Sequence, residues 1–171
     1  MPVPTIYFAT TTGKTEDVAN RLAPLVQASA VVDVADSSDP SVFLDSQALI
    51  CCTPTWNTGA DDLRSGTAWD THLEAIEGLQ FNGKPVAILG LGDSSSYSDY
   101  FCDAMEEVYR VFERAGAKMI GSVDCADYNY NSSKSVVRGR FCGLAIDEDS
   151  EPDLTDERLI RWAEVLRREL A

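Results

Sequence analysis

Two apolar runs constrain this chain more than anything else in it. Ala48-Leu-Ile-Cys-Cys-Thr53 and Pro85-Val-Ala-Ile-Leu-Gly-Leu91 are of strand length and show no polar alternation. A strand without a polar face has to be covered on both sides, which is the situation of a parallel sheet with helices above and below it. Shorter strand-like segments lie at residues 5–9, 29–34, 118–123 and 141–144. Helical periodicity fills the intervals. Val18, Leu22, Leu25 and Val26 mark a first helix, which Pro24 is expected to end or kink early. Asp39-Pro40 opens a short helix around Val42 to Leu44, and a further helix covers residues 69–76. Phe101, Met105, Val108, Phe112 and Ala115 fall on one helical face closed by Gly116, and Leu159, Ala163, Leu166 and Leu170 on another. Strands that alternate with helices predict an α/β fold with a parallel sheet in three layers. At 171 residues, one domain over 1–171 can bury a substantial core. The polar stretch 124–140 interrupts the alternation before strand character returns.

The junction after the first strand carries the first chemical signal. The apolar run at residues 5–9 gives way to Thr10, Thr11, Thr12, Gly13, Lys14 and Thr15, directly before the first helix. Hydroxyl donors and the unpaired N–H groups of a helix start thus meet at one point, which is how a fold holds a phosphate without cationic side chains. A nucleotide-triphosphate P-loop would need a glycine five positions before Gly13, where Phe8 stands, and this loop is too short to wrap a triphosphate. A threonine-rich turn without a ligand is the plainer alternative. In parallel sheets ligands lie beyond the carboxyl ends of the strands. Two more loops project there, residues 54–66 and 92–100, and each carries an aromatic side chain, Trp56 and Tyr97. Two rings flanking a flat group, with a phosphate held nearby, describe a mononucleotide of a planar heterocycle.

Charge narrows the partners. The formal net charge of -14 argues against nucleic acid and anionic membrane surfaces and favours a basic partner. No run is long enough to span a membrane, and Met1-Pro-Val-Pro lacks the pattern of a signal peptide. The five cysteines, Cys51, Cys52, Cys102, Cys125 and Cys142, show neither metal-ligand spacing nor clustered histidines, so they read as small core or loop residues in a reducing compartment. Cys51 and Cys52 should face opposite sides of their strand. His72, the only histidine, has no nucleophile motif beside it. The acids Asp61, Asp62, Asp99 and Asp103 flank the ligand loops, and Asp147, Glu148, Asp149, Glu151, Asp153, Asp156 and Glu157 gather before the last helix. Most of them read as solvated surface, and those nearest the ligand as a field that steers a basic partner.

These motifs together resemble the long-chain flavodoxins of cyanobacteria and algae. The resemblance rests on residues 10–15, Pro54-Thr-Trp-Asn57, Gly92-Asp93 with Tyr97 and Asp99, and the late segments 127–134 and 143–149. It implies a flavodoxin-like three-layer sandwich, a five-stranded parallel sheet in the order 2-1-3-4-5 with an insertion in the fifth strand. It also implies a non-covalently bound flavin mononucleotide (FMN). The phosphate would lie on Thr10, Thr11, Thr12, Gly13, Lys14 and Thr15, with Trp56 on one face of the ring and Tyr97 on the other. The backbone of Asp93, Tyr100 and Cys102 would meet the pyrimidine edge, while Thr55 and Asp149 approach the ribityl chain. The Asn57-Thr58 peptide would turn over on reduction.

By the same resemblance the protein is an electron carrier and not an enzyme, a low-potential one-electron shuttle cycling between semiquinone and hydroquinone. Its expected partners are basic-faced redox proteins: ferredoxin-NADP reductase, photosystem I in a photosynthetic source, or other flavodoxin-dependent oxidoreductases. A soluble monomer is expected, in the chloroplast stroma of an alga or the cytoplasm of a bacterium. The alternatives are a flavodoxin-like NAD(P)H:quinone reductase, which needs open space over the ring, and a receiver-type signalling module, which needs an acidic cluster where Thr10 and Thr53 stand.

Overall fold

The computed structural model describes residues 1–54 and 67–171. Its elements are β1 (Pro4–Phe8), α1 (Lys14–Val26), β2 (Val31–Asp33), α2 (Val42–Asp45), β3 (Ala48–Thr53), α3 (Ala68–Glu77), β4 (Pro85–Leu91), α4 (Asp103–Arg114), β5 (Lys118–Ile120), β6 (Val136–Val137), β7 (Arg140–Phe141), β8 (Leu144–Ile146) and α5 (Thr155–Leu170). The main sheet runs β2-β1-β3-β4-β5, with β8 also on β4 and all its pairs parallel. This is the expected order.

The period of two along each strand divides the apolar side chains between two layers. Ile6, Phe8, Ile50, Cys52, Ala87 and Leu89 pack with Val18 and Leu22 of α1 and with Leu159, Trp162 and Leu166 of α5. Tyr7, Leu49, Cys51, Val86 and Ile88 face the other way, toward Trp69 and Leu73 of α3 and Met105, Val108 and Phe112 of α4. The adjacent cysteines therefore do point to opposite layers. Every residue of β3 is buried, and β4 is buried from Val86 onward. Each large aliphatic side chain so placed contributes about 1.5–3 kcal/mol.

Three boundaries differ from the sequence reading. Helix α1 runs through Pro24 to Val26. The missing proline N–H falls in the last turn, and the chain stops only where Gln27 turns left-handed (φ 53°) and donates to the Ala23 carbonyl. Strand β2 is confined to residues 31–33, because the Asp33 carboxylate accepts from Ala35 N (2.9 Å) and turns the chain into a short 3-10 segment. The strand expected over 118–123 ends at Ile120. There Gly121 adopts φ 83°, and α5 takes both of its backbone groups: Glu169 accepts from its N–H (2.6 Å), and Trp162 Nε1 donates to its carbonyl (2.8 Å).

The excursion that follows contains the β6–β7 hairpin and returns at β8. Strand β5 pairs with residues 85–87 of β4, and β8 continues beside residues 89–91. One strand position is thereby split in two, as an insertion in the fifth strand requires. Gly143 stands at the point of return. A Cβ there would lie 2.0 Å from the Ile88 carbonyl oxygen, so no side chain fits.

Candidate functional site

The turn from β1 into α1 has the properties of an anion cradle. Beyond Ala9, whose N–H is held by the Cys52 carbonyl at 3.2 Å, the chain leaves the sheet. Thr10 Oγ1 accepts from Gly13 N (2.8 Å), tightening residues 10–13 into a loop. Gly13 has φ 91°, a left-handed angle that favours glycine, although a Cβ there would meet nothing within 4 Å. Thr15 is buried, while Thr11, Thr12, Gly13 and Lys14 are exposed. The first helical bond is Asp17 N to Gly13 O (3.1 Å). The N–H groups of Lys14, Thr15 and Glu16 therefore find no acceptor among the described residues, and the positive end of the helix dipole adds to them. The Lys14 ammonium is turned away to Asp149, whose carboxylate raises its pKa above the ordinary value. Exposed hydroxyls and amides without an acceptor among the described residues thus meet at this turn.

The loop after β4 forms the second wall. Gly92 N donates to Ile146 O (2.9 Å), and a Cβ on Gly92 would lie 2.6 Å from Cys102 Sγ and 2.9 Å from the Phe101 ring. Asp93 accepts from Ser95 N and Ser96 N (both 3.1 Å) and from Ser150 Oγ (2.9 Å). Burial pushes its pKa up, but the bonds from Ser96, Ser150 and Ser95 together outweigh that effect and hold it below the ordinary value. Tyr97 is half-buried and its N–H donates to the Asp93 carbonyl (2.9 Å). Asp99 accepts from Asn131 Nδ2 (3.1 Å), while Tyr100 stands out from the rim at 58% exposure. Cys102 is buried, with a left-handed φ of 54°, and burial pushes its thiol well above the ordinary value, which leaves it unsuited to nucleophilic work. Thr55, Trp56, Asn57 and Thr58, together with Asp61 and Asp62, lie outside the described residues.

Between these loops sits a brace that the sequence reading assigned to solvated surface. Asp147 is fully buried. Its carboxylate accepts from Ser94 N (3.0 Å), Ser94 Oγ (2.5 Å) and Ser150 N (2.8 Å). Its neighbours Glu148 and Asp149 reach the other way, to Arg21 (2.6 Å) and Lys14 of α1. Residues 147–150 thus tie the first turns of α1 to the loop after β4. Asp103, likewise read as a flanking surface acid, is buried and accepts from Lys134 N (2.8 Å) of the excursion. Ser150 N is local to Asp147, but the Ser94 donors lie 53 residues away and the Asp103 donor 31, so the sequence near these two acids does not set them apart from their exposed neighbours.

Comparison with known proteins decides the lineage. The family model described as Flavodoxin matches residues 6–162.

The chain belongs to the flavodoxin family.

Flavodoxin of Synechocystis sp. is 36% identical over 164 residues, covering 95% of this chain and 94% of that protein. Flavodoxin 1 of Escherichia coli K12 is 36% identical over 176 residues, covering 99% and 96%. Among solved structures, the flavodoxin of Fusobacterium nucleatum bound to flavin mononucleotide superimposes with a TM-score of 0.88 at 26% identity, covering 99% of each chain. The parallel sheet, its strand order and the split fifth strand are therefore those of a flavodoxin, and members of this family transfer electrons rather than turn over substrates. Among the described residues, no cluster of His, Cys, Asp and Glu could hold a metal ion, and no helix is long and apolar enough to cross a membrane.

Proposed function

We propose that the protein is an FMN-containing electron carrier, a single domain over residues 1–171 that exchanges single electrons with other redox proteins. The observation that carries this reading is the anion cradle at residues 10–15, set beside the loop 92–100, in a fold that superimposes on an FMN-bound flavodoxin. When bound, FMN supplies the redox chemistry. The chain supplies position and field. Thr10, Thr11, Thr12, Thr15 and the amides around Gly13 and Lys14 hold the phosphate. By resemblance to the family, Trp56 and Tyr97 would cover the two faces of the ring, and Asn57 and Thr58 would contribute to its edge. Backbone groups of Asp93, Tyr100 and Cys102, in the loop opened by Gly92 and flanked by Asp99, would meet the pyrimidine edge. Thr55 and Asp149 would approach the ribityl chain, also by that resemblance.

The bound phosphate and a net charge of -14 both oppose adding negative charge to the ring, so the second reduction falls at a low potential. Partners with a basic face fit this field, ferredoxin-NADP reductase or photosystem I among them, and the chain acts as a soluble monomer in a reducing compartment, plastid stroma or bacterial cytoplasm. The relatives lend no support to an NAD(P)H:quinone reductase. The test is absorption spectroscopy of purified protein through a stepwise reductive titration. A yellow protein that releases FMN on denaturation and is reduced in two separated one-electron steps supports the proposal. A colourless protein that takes up no FMN, or one that oxidises NADPH with a quinone unaided, overturns it.

A further inference from the structure

Away from the flavin loops, the excursion between β5 and β8 leaves an open cleft of about 460 Å³ against α5. That volume is in the range of small-molecule sites. Its apolar lining comes from Val123, Leu144, Trp162 and Val165, with Leu154 exposed at the mouth. Trp162 is fixed there by the bond from its indole Nε1 to Gly121 O (2.8 Å).

Three arginines complete the lining, Arg140, Arg158 and Arg161, in a chain with only 14 cations and a net charge of -14. Arg158 is built into the wall. Its side chain is 11% exposed, its guanidinium lies 4.0 Å from the Tyr128 ring centre, and it donates to the Asp127 carbonyl (3.3 Å) and to Glu151 (3.4 Å). The lining also holds three acids: Glu157 pairs with Arg161, Asp124 accepts from Ala126 N (2.9 Å), and Asp127 lends its backbone carbonyl to Arg158. Arg140 is different. Among the described residues its hydrogen-bond partners are neutral oxygens, Ser122 Oγ (3.2 Å) and Ser122 O (3.1 Å), and none of the three acids that share the lining lies within salt-bridge distance of it.

We propose that this cleft is a second binding site, separate from the flavin site, for a small aromatic carboxylate whose ring lies against the partly exposed Val123 and Val165, above the buried Trp162 and Leu144, and whose anion is taken by Arg140. The planar guanidinium suits a carboxylate because two parallel N–H donors can meet its two oxygens. A flat ring suits the floor because it covers apolar surface with little loss of conformational freedom.

The test uses isotope-labelled, flavin-loaded protein titrated with naphthoate and, in parallel, with neutral naphthylmethanol, followed by amide and indole NMR shifts. Naphthoate should shift the Trp162 indole and the Val123 and Leu144 amides saturably. Naphthylmethanol should bind about tenfold more weakly, and Arg140→Gln should lower naphthoate affinity about fivefold to tenfold with the flavin spectrum unchanged. Arg140 is exposed on a hairpin, so this variant keeps its fold, and an Arg140→Lys control retains charge without the fork and should fall between the two. The proposal is overturned by an absence of saturable shifts, by equal affinities for the two probes, by an Arg140→Gln protein that binds like the parent, or by shifts confined to residues 92–100.

Discussion

Asp147 shows how much one side chain can hold. A buried carboxylate with three donors and no cation among its described contacts depends wholly on those donors. Asp147→Ala strands Ser94 N and Ser150 N and should cost about 1–3 kcal/mol in urea denaturation of the flavin-free protein, with weaker FMN binding by fluorescence titration. Asp93 and Asp103 respond to pH in opposite senses. Asp93 is held below its ordinary value of 3.8, so its stabilising contribution is complete above 3.8 and is lost as pH falls through the lower folded value. Burial raises Asp103 above 3.8 despite the bond from Lys134, so the folded protein keeps a proton that the unfolded chain has released, and stability falls as pH rises from 3.8 through that raised value. Asp103→Asn, which still accepts from Lys134 N, should flatten this fall when denaturation midpoints are measured across pH 3.5 to 7, the range about the ordinary carboxylate values.

Among the elements, the split strand is the least forgiving. β8 returns beside β4 only because Gly143 lets the two backbones approach, and Gly143→Ala should cost about 3 kcal/mol or more, read from the shift in denaturation midpoint. The excursion is fastened back more softly. Tyr128 donates to Ala145 O (2.7 Å), Phe101 stacks with Tyr130 at 5.5 Å, and Asn131 and Ser132 donate to Ser98 O (both 2.9 Å). Tyr128→Phe keeps the ring beneath Arg158 and loses one hydrogen bond, so a loss of about 1 kcal/mol is expected by the same measurement. Helix α1 is tied to α5 and the loop before it by Arg21, which meets Glu148 (2.6 Å), Asp156 (2.7 Å) and Asp17 (3.2 Å). Partly exposed ion pairs of this kind contribute about 1 kcal/mol or less, and the effect of Arg21→Gln should shrink as salt is added.

At the scale of the whole molecule, the charge of -14 sets the long-range behaviour. Electron transfer to a basic partner, followed by stopped-flow absorbance, should slow as ionic strength rises, because screening removes the steering field; a rate indifferent to salt would refute that role. The sequence by itself determined the sheet and its layers. Residues 48–53 and 85–91 have no polar face to offer water, and this alone demands cover on both sides. It also brought hydroxyls, a glycine and a helix start together, since all are local to residues 10–15. Only the tertiary structure decided that the strand from Lys118 stops at Gly121, whose backbone α5 captures from more than 40 residues away. The same holds for the burial of Asp147 and Asp103 and for the arginines brought together around one cleft. Periodicity and propensity act over a few neighbours, whereas a buried charge or a shared cleft depends on which distant donors the finished fold places beside it.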